Sequence, residues 1–162
     1  MKWIDGIHAF PKHIKQFILF FVLALSFGYF TGFKFIVRTT NLNPSGLEEN
    51  YVGNEENEEA EILKFKKAEG ELITTIHTHI LSFSLIFFAL GFVLLSVPMS
   101  LSFKKFLLIE PFISIVVTFG GVWLLWLGYS WLKYIVMISG MLITLTFVLQ
   151  VAMIIRGVAS KN

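Results

Sequence analysis

Four long apolar runs separated by polar connections dominate the chain. They lie at about residues 17–37, 73–96, 109–127 and 134–155. Each run approaches or exceeds the ~20 residues that an α-helix needs to cross ~30 Å of hydrocarbon. In lipid the backbone must satisfy its own hydrogen bonds, and the strict alternation typical of barrel strands is absent. The pattern therefore predicts four transmembrane helices.

The connections between these runs predict the topology. The second and third connections, "VPMSLSFKKF" and "GYSWLK", are short, so neighbouring helices must be antiparallel. We therefore expect an all-α membrane protein, an up-down four-helix bundle that forms a single domain over residues 1–162.

The first connection, residues 38–72, is the only long one. It begins with "TTNLNPSG", whose residue types are typical of turns. Its later part carries acids and lysines three or four residues apart, such as Glu61 and Lys64, which favours a helical extension into the second membrane helix. Before the first membrane helix, Trp3, Ile7 and Phe10 share one side, which predicts a short interfacial helix ending at Pro11.

Composition and charge support a membrane location. The chain of 162 residues is 56% hydrophobic with 18 Phe, more apolar surface than one soluble domain of this size could bury. Nine of its eleven acids lie between residues 48 and 71, so the long connection is an acidic loop. The absence of cysteine excludes a disulfide framework, a thiolate metal site and a thiol nucleophile.

The lysines of the short connections predict the orientation. Lys104 and Lys105 lie in the second connection, against Lys133 alone in the third. Basic residues of short loops favour the cytoplasmic side. We therefore expect both termini in the cytoplasm, the acidic loop outside, and a multi-pass location in a bacterial inner membrane.

Two histidines, His77 and His79, lie where the acidic loop meets the second run. One interpretation is that both imidazoles are simply hydrated or bonded to carboxylates. The other is a metal or haem site at the outer mouth. Residues i and i+2 of an α-helix point about 200° apart, so one ion shared by both rings requires a non-helical segment. If the segment is helical, the small residues near His77 favour an inward position for it, with His79 toward a neighbour or lipid headgroups.

Several ligands fit such a site. Haem b on His77 would need methionine as its second axial ligand within this chain, and Met137 and Met141 lie at a similar predicted depth. Thioether and imidazole together suit copper, whereas histidine with glutamate suits zinc. A haem shared with a partner subunit is a further alternative.

Other polar and small residues are candidates for helix packing. We expect close helix approach or interhelical hydrogen bonding at these positions: Gly28, Gly32, Gly120, Gly121 and Gln150. Glu110 and Pro111 are expected to open the third membrane helix, because an acid and a proline both suit a first turn.

The acidic block of the loop is a candidate docking surface for a basic soluble partner, through Glu55, Glu56, Glu58 and Glu59. The sequence shows no Ser–His–Asp set, no phosphate-binding glycine loop and no nucleic-acid signature, so an enzyme is less favoured than a non-enzymatic protein.

The stretch "GNEENEEAEILKFKKAEGELITTIHTHILSFSLIFF", residues 53–88, resembles a segment of small uncharacterised membrane proteins of Bacteroidota-type bacteria. The resemblance implies an inner-membrane location with the loop in the periplasm, and it points to no particular activity.

These observations together predict a non-enzymatic integral membrane accessory or assembly protein that binds a metal ion or haem through His77 and His79. The alternative is a structural small subunit of a larger respiratory or transport complex. The expected partners are lipid and other membrane subunits or a second copy of the chain.

Overall fold

The computed structural model describes residues 6–55, 57 and 62–160, and within these ranges it contains helices and no strand. The helices are α1 (Lys12–Thr40), α2 (Pro44–Val52), α3 (Glu69–Leu94), α4 (Leu101–Trp126) and α5 (Leu132–Ala159), preceded by a 3₁₀ turn, Ile7–Ala9. α1, α3, α4 and α5 are long and apolar enough to cross a membrane. The chain is a multi-pass integral membrane protein, and the predicted all-α bundle is confirmed.

The membrane helices are longer than the apolar runs that predicted them. The largest difference is in α4, which begins at Leu101 rather than near residue 109. Its first two turns carry Lys104 and Lys105, whose stems can lie along apolar surface while their ammonium groups reach water. Hydrophobic length alone therefore missed this part of the helix. The C-terminal end of α3 is an exception, because this helix ends at Leu94, two residues before the end of its predicted apolar run at residue 96.

The first connection contains a helix where turns were expected. Asn41 and Leu42 adopt positive φ and reverse the chain after α1. Asn43 then caps α2, accepting a hydrogen bond from the Gly46 N–H at 2.6 Å, and Pro44 takes the first helical position.

The expected helical extension into α3 is wrong for the residues that the structure describes there, 62–68. They are not helical, and α3 begins only at Glu69. Both polar atoms of the Asn54 side-chain amide bind this segment. Nδ2 donates to Ile62 O at 3.0 Å, and Oδ1 accepts from Lys64 N at 2.7 Å. These tertiary bonds outweigh the weak helix preference of the charge spacing. Glu61 lies outside the described residues.

α4 and α5 form the central antiparallel pair, and three contacts fix one register along it. Gln150 meets Leu107 at one end, Thr118 meets Ser139 further along, and Gly121 meets Val136 beyond that. α3 packs on this pair through buried apolar side chains, among them Phe87, Leu90 and Leu94.

The expected interfacial helix is replaced by an inserted turn. The chain makes only the 3₁₀ turn Ile7–Ala9, and Ile7 is fully buried. Its N–H donates to Ser96 O at 2.8 Å, and its side chain lies over Gly157, where an added Cβ would be 2.6 Å from Ile7 Cγ2. Burial in the bundle is thus preferred for Ile7 over the membrane surface. Trp3 lies outside the described residues.

α1 lies at the edge of the bundle. Its buried residues are Ile18, Val22 and Thr40. Tyr29 provides the main anchor: its ring stacks on Phe147 at 3.9 Å between centroids, and its hydroxyl donates to Thr144 Oγ1 at 3.1 Å. Only 11% of the most apolar window of α1 is buried, against 22% to 39% in the other three spans.

Candidate functional site

The two histidines lie on a regular helix. Residues 74–79 all belong to α3, so the imidazoles of His77 and His79 leave the axis about 200° apart. The non-helical segment that one shared ion requires is therefore not what the structure shows. Both side chains are exposed. The inward expectation for His77 is wrong, because the buried position beside it is taken by Ile76.

His79 is bonded within its own helix. Its Nδ1 is 2.7 Å from Thr75 O, so Nδ1 carries the proton and donates. The centroid of the His79 ring is 5.3 Å from the ring centroid of Phe119 and 6.0 Å from that of Phe83. The imidazole is therefore held against the aromatic side of α3 and α4.

The other proposed ligands lie on α5. Met137 is half-buried, and Met141 is 54% exposed. Within the described ranges there is no group of three or more His, Asp or Glu side chains placed to hold a metal ion.

A line of polar groups lies along the α4–α5 contact inside the membrane helices. We call it the polar seam: the Leu107 carbonyl, Glu110, Ser114 and Thr118 on α4, and Ser139, Thr146 and Gln150 on α5. The side chains of Ser114, Thr118, Ser139, Thr146 and Gln150 are buried. Buried polar groups in lipid are costly and commonly functional.

Pro111 explains one end of this seam. Proline has no N–H, so the carbonyl four residues earlier, that of Leu107, loses its helical donor. Gln150 supplies the missing donor from α5, with Nε2 2.6 Å from Leu107 O. The expected start of a helix at Glu110 and Pro111 is therefore corrected: Pro111 lies inside α4, and the neighbouring helix compensates for it.

Two acceptors of the seam have no hydrogen-bond partner among the described residues. Ser114 Oγ donates to Glu110 Oε1, which leaves Glu110 Oε2 buried and unpaired. The amide nitrogen of Gln150 donates to Leu107 O, and Gln150 Oε1 is left buried and unpaired as well. Farther along, Thr118 Oγ1 donates to Ser139 Oγ at 2.7 Å. The Glu110–Gln150 end of the seam is thus rich in acceptors and short of donors.

Glu110 is deep in its helix, about 14 Å along the axis from Leu101 at 1.5 Å per residue. The apolar pattern predicts a helix start at Glu110, because the polar residues before it interrupt the apolar run. The available signal was the run "LSFKKFLL" before it, which continues the helix once lysine stems are allowed at the membrane edge.

The acidic connection folds over the Trp126 end of α4 and the Lys133 end of α5, and we call residues 44–55 and 62–68 the outer cap, since they lie outside the helix bundle. Lys133 Nζ donates to Glu48 Oε2 at 2.6 Å, and Lys64 Nζ donates to Glu49 Oε2 at 3.3 Å. Burial raises the pKa of Glu48, but hydrogen bonds from Lys133 and Ser130 outweigh it, so the pKa lies below its ordinary value.

Trp126 joins the other half of the outer cap to α4. Its Nε1 donates to Lys67 O at 2.8 Å, and Lys66 Nζ lies 4.5 Å from its ring centroid. Of the proposed docking acids, Glu55 is exposed and its Oε1 accepts from Lys66 N at 3.1 Å. The others, Glu56, Glu58 and Glu59, lie outside the described residues.

The four packing glycines divide into two kinds. At Gly121 an added Cβ would lie 2.6 Å from Val136 Cγ2, so this glycine permits close approach of α4 and α5. At Gly28, Gly32 and Gly120 an added Cβ would meet nothing within 4 Å. These three positions have open space beside them.

Comparison with known proteins gives one match. No curated protein and no solved structure matches the chain. A family model described as a transmembrane helical domain, Aq_1264_TM, matches residues 41–162. This range is more than half of the chain and contains α2 to α5. The chain therefore belongs to the Aq_1264_TM family of transmembrane helical domains.

Proposed function

We propose that this protein is a non-enzymatic accessory subunit of a membrane assembly, and that α1 is the helix through which it contacts another membrane protein. The observation that carries the proposal is the position of α1. It reaches across the membrane but buries only 11% of its apolar window in its own bundle, the smallest share of the four spans.

The family comparison supports a separate role for α1. The matched range begins at residue 41, immediately after α1 ends at Thr40. α2 to α5 account for the family domain, and their packing on one another is more extensive than their packing on α1. α1 is thus available for a contact that the matched helices do not require.

The exposed side of α1 has the residue types of a membrane-helix interface. Ala24, Gly28 and Gly32 recur every four residues and are all exposed. Small residues at this spacing let two helix backbones approach closely, and van der Waals contact then drives association in lipid. An added Cβ at either glycine would meet nothing within 4 Å, so larger side chains can begin there without an immediate clash.

A bound ion is not required by this proposal. A metal or haem on His77 or His79 would need further ligands from a partner, because the described part of the chain provides no group of three. The proposed role therefore depends on helix contact, with haem, copper or zinc as a property of the assembled complex.

For the location, we propose a bacterial inner membrane with both termini in the cytoplasm. Lys104 and Lys105 lie at the end of the bundle that also holds the N-terminal turn, and Lys133 lies at the opposite end. The excess of lysine at the first of these ends supports its cytoplasmic exposure.

The test is the size of the native complex. Membranes expressing the full chain are solubilised in mild detergent and separated by native electrophoresis. We expect the wild type in a band larger than its monomer that contains other membrane proteins, and we expect Gly28→Leu with Gly32→Leu to shift it to the monomer. Gly120→Leu is the matched control, since Gly120 is also an exposed helical glycine with open space beside it.

Two results would overturn the proposal. One is a wild-type protein that runs as a monomer in several mild detergents. The other is a complex that contains only this chain, which would make α1 a contact between copies.

A further inference from the structure

We infer that Glu110 and Gln150 form a binding site for one monovalent cation, a proton or a sodium ion, inside the membrane. The site lies on the α4–α5 pair and is independent of the contact proposed for α1. Both ions satisfy the same need, because each brings positive charge to oxygen acceptors for which the described residues provide no donor.

The first argument is the pair of unpaired acceptors. Glu110 Oε2 and Gln150 Oε1 are each buried, and neither has a hydrogen-bond partner among the described residues. Gln150 is fully buried, so its side-chain oxygen cannot turn to bulk water. Buried acceptors without donors are uncommon in native proteins, since each loses its hydrogen bonds to water without replacement.

The second argument is their common location. Gln150 is fixed to α4 by its bond to Leu107 O, and Glu110 follows Leu107 by one helical turn. Ser114, the partner of the other Glu110 oxygen, lies one turn further on. The two unpaired oxygens therefore belong to groups held within one turn of each other on the same helix pair.

The third argument is charge. The ion pairs that the structure shows in its described residues, Lys64–Glu49, Lys67–Glu71 and Lys133–Glu48, lie in or beside the outer cap. Glu110 is in none of them. The helices packed against α4 offer no counter-charge at this depth: α5 carries no titratable residue between Tyr134 and Arg156, α3 carries none after His79, and the charged residues of α2 are both acids, Glu48 and Glu49.

On α4 itself the nearest cations, Lys104 and Lys105, lie one to two turns toward the N-terminus of the helix, and Lys104 Nζ donates instead to Leu95 O at 3.0 Å. An unpaired carboxylate in a low-dielectric setting is strongly disfavoured. Neutralisation by a bound cation removes that cost, and carboxylate and amide oxygens are suitable ligands for either ion.

The test is chemical labelling of Glu110 in the full chain with dicyclohexylcarbodiimide, an apolar reagent that adds to protonated carboxyl groups. Labelling is followed by mass spectrometry of the peptide that contains Glu110, in sodium-free choline buffer and in sodium chloride of equal ionic strength. Glu71, an exposed glutamate at the start of α3, is the internal control. We expect Glu110 to be labelled about tenfold faster than Glu71, because the apolar reagent partitions into the helix bundle.

The two ions give different patterns. Protection of Glu110 by sodium identifies a sodium site, whereas equal labelling in both buffers that slows as the pH rises identifies a proton site. Glu110→Gln should remove the label from this peptide. Gln150→Met, of similar volume, should change either the sodium protection or the pH dependence, with helix content checked by circular dichroism.

The inference is overturned if Glu110 is labelled no faster than Glu71 in either buffer. It is also overturned if Gln150→Met folds normally and leaves labelling, sodium protection and pH dependence unchanged. In these cases a buried water molecule would satisfy the two oxygens.

Discussion

Gln150 of α5 donates its side-chain amide hydrogen to the carbonyl oxygen of Leu107, which Pro111 leaves without a donor in its own helix. The proline and the glutamine are far apart in sequence but act together. One creates a buried unpaired acceptor in α4, and the other satisfies it from α5. The central helix pair is thereby held in a single register.

This dependence predicts non-additive stability effects. Gln150→Leu should destabilise the protein by about 1–3 kcal/mol, because it leaves Leu107 O buried and unpaired. Pro111→Ala restores an N–H to α4, so the same glutamine substitution should cost clearly less in that background. Unfolding of the four proteins in mixed detergent micelles measures the coupling. Equal costs in both backgrounds would show that Gln150 does not compensate for the proline.

The α4–α5 contact predicts opposite outcomes at two adjacent glycines. Gly121→Ala places a Cβ 2.6 Å from Val136 Cγ2, so the helices must separate or Val136 must move. We expect a loss of about 1–3 kcal/mol, typical of overpacking. Gly120→Ala, which meets open space, should leave stability unchanged or raise it slightly because alanine favours the helix. Detergent-unfolding midpoints compare the two, and equal midpoints would contradict the packing shown.

The Glu48–Lys133 pair predicts that the outer cap loosens in acid. The pKa of Glu48 is lower in the folded protein than its ordinary value, so ionised Glu48 stabilises the fold at neutral pH. That contribution is lost as the pH falls through the lowered pKa. Amide exchange in α2, followed from neutral to acidic pH at matched intrinsic rates, should therefore accelerate in acid.

The matched variant for this experiment is Glu48→Gln, which keeps the size of the side chain and removes its titration. Its α2 exchange should already be fast at neutral pH and should change little in acid. A wild type and a variant with the same pH dependence would assign the acid effect to another group.

Replacing the indole of Trp126 should have a local effect on the outer cap. Trp126→Phe keeps an aromatic ring near Lys66 but removes the N–H that donates to Lys67 O. Exchange should accelerate in residues 62–68 and stay unchanged in the spans of α4 and α5. Trp123→Phe is the control, because Trp123 is on the same helix and 39% exposed. A similar response to both substitutions would indicate a general loss of aromatic anchoring at this end.

The sequence predicted the four membrane helices because hydrophobic length is a strong local signal. It failed where long-range contacts decide the structure. Residues 62–68 have helix-compatible charge spacing, yet Asn54 and Trp126 hold them in another conformation. Ile7 was expected at the membrane surface. Its burial over Gly157 depends on a contact between residues far apart in the sequence, which the residues next to Ile7 do not indicate.

The candidate site was predicted less well than the fold. The histidines were singled out because imidazole next to an apolar run is uncommon, but the regular helix of α3 separates them. Glu110 was assigned to a helix end, since the lysines before it interrupted the apolar count. The unpaired oxygens of Glu110 and Gln150 that draw attention to this part of α4 depend on packing between helices, which the sequence does not give.

The burial of Ile7 has a consequence for biogenesis. The residues that receive it, Ser96 and Gly157, belong to parts of the chain that are synthesised after α1. α1 must therefore enter the bilayer with its leading turn still undocked, and that turn can settle only after α5 has crossed. Closure of the N-terminal turn is then a late step in the assembly of the bundle.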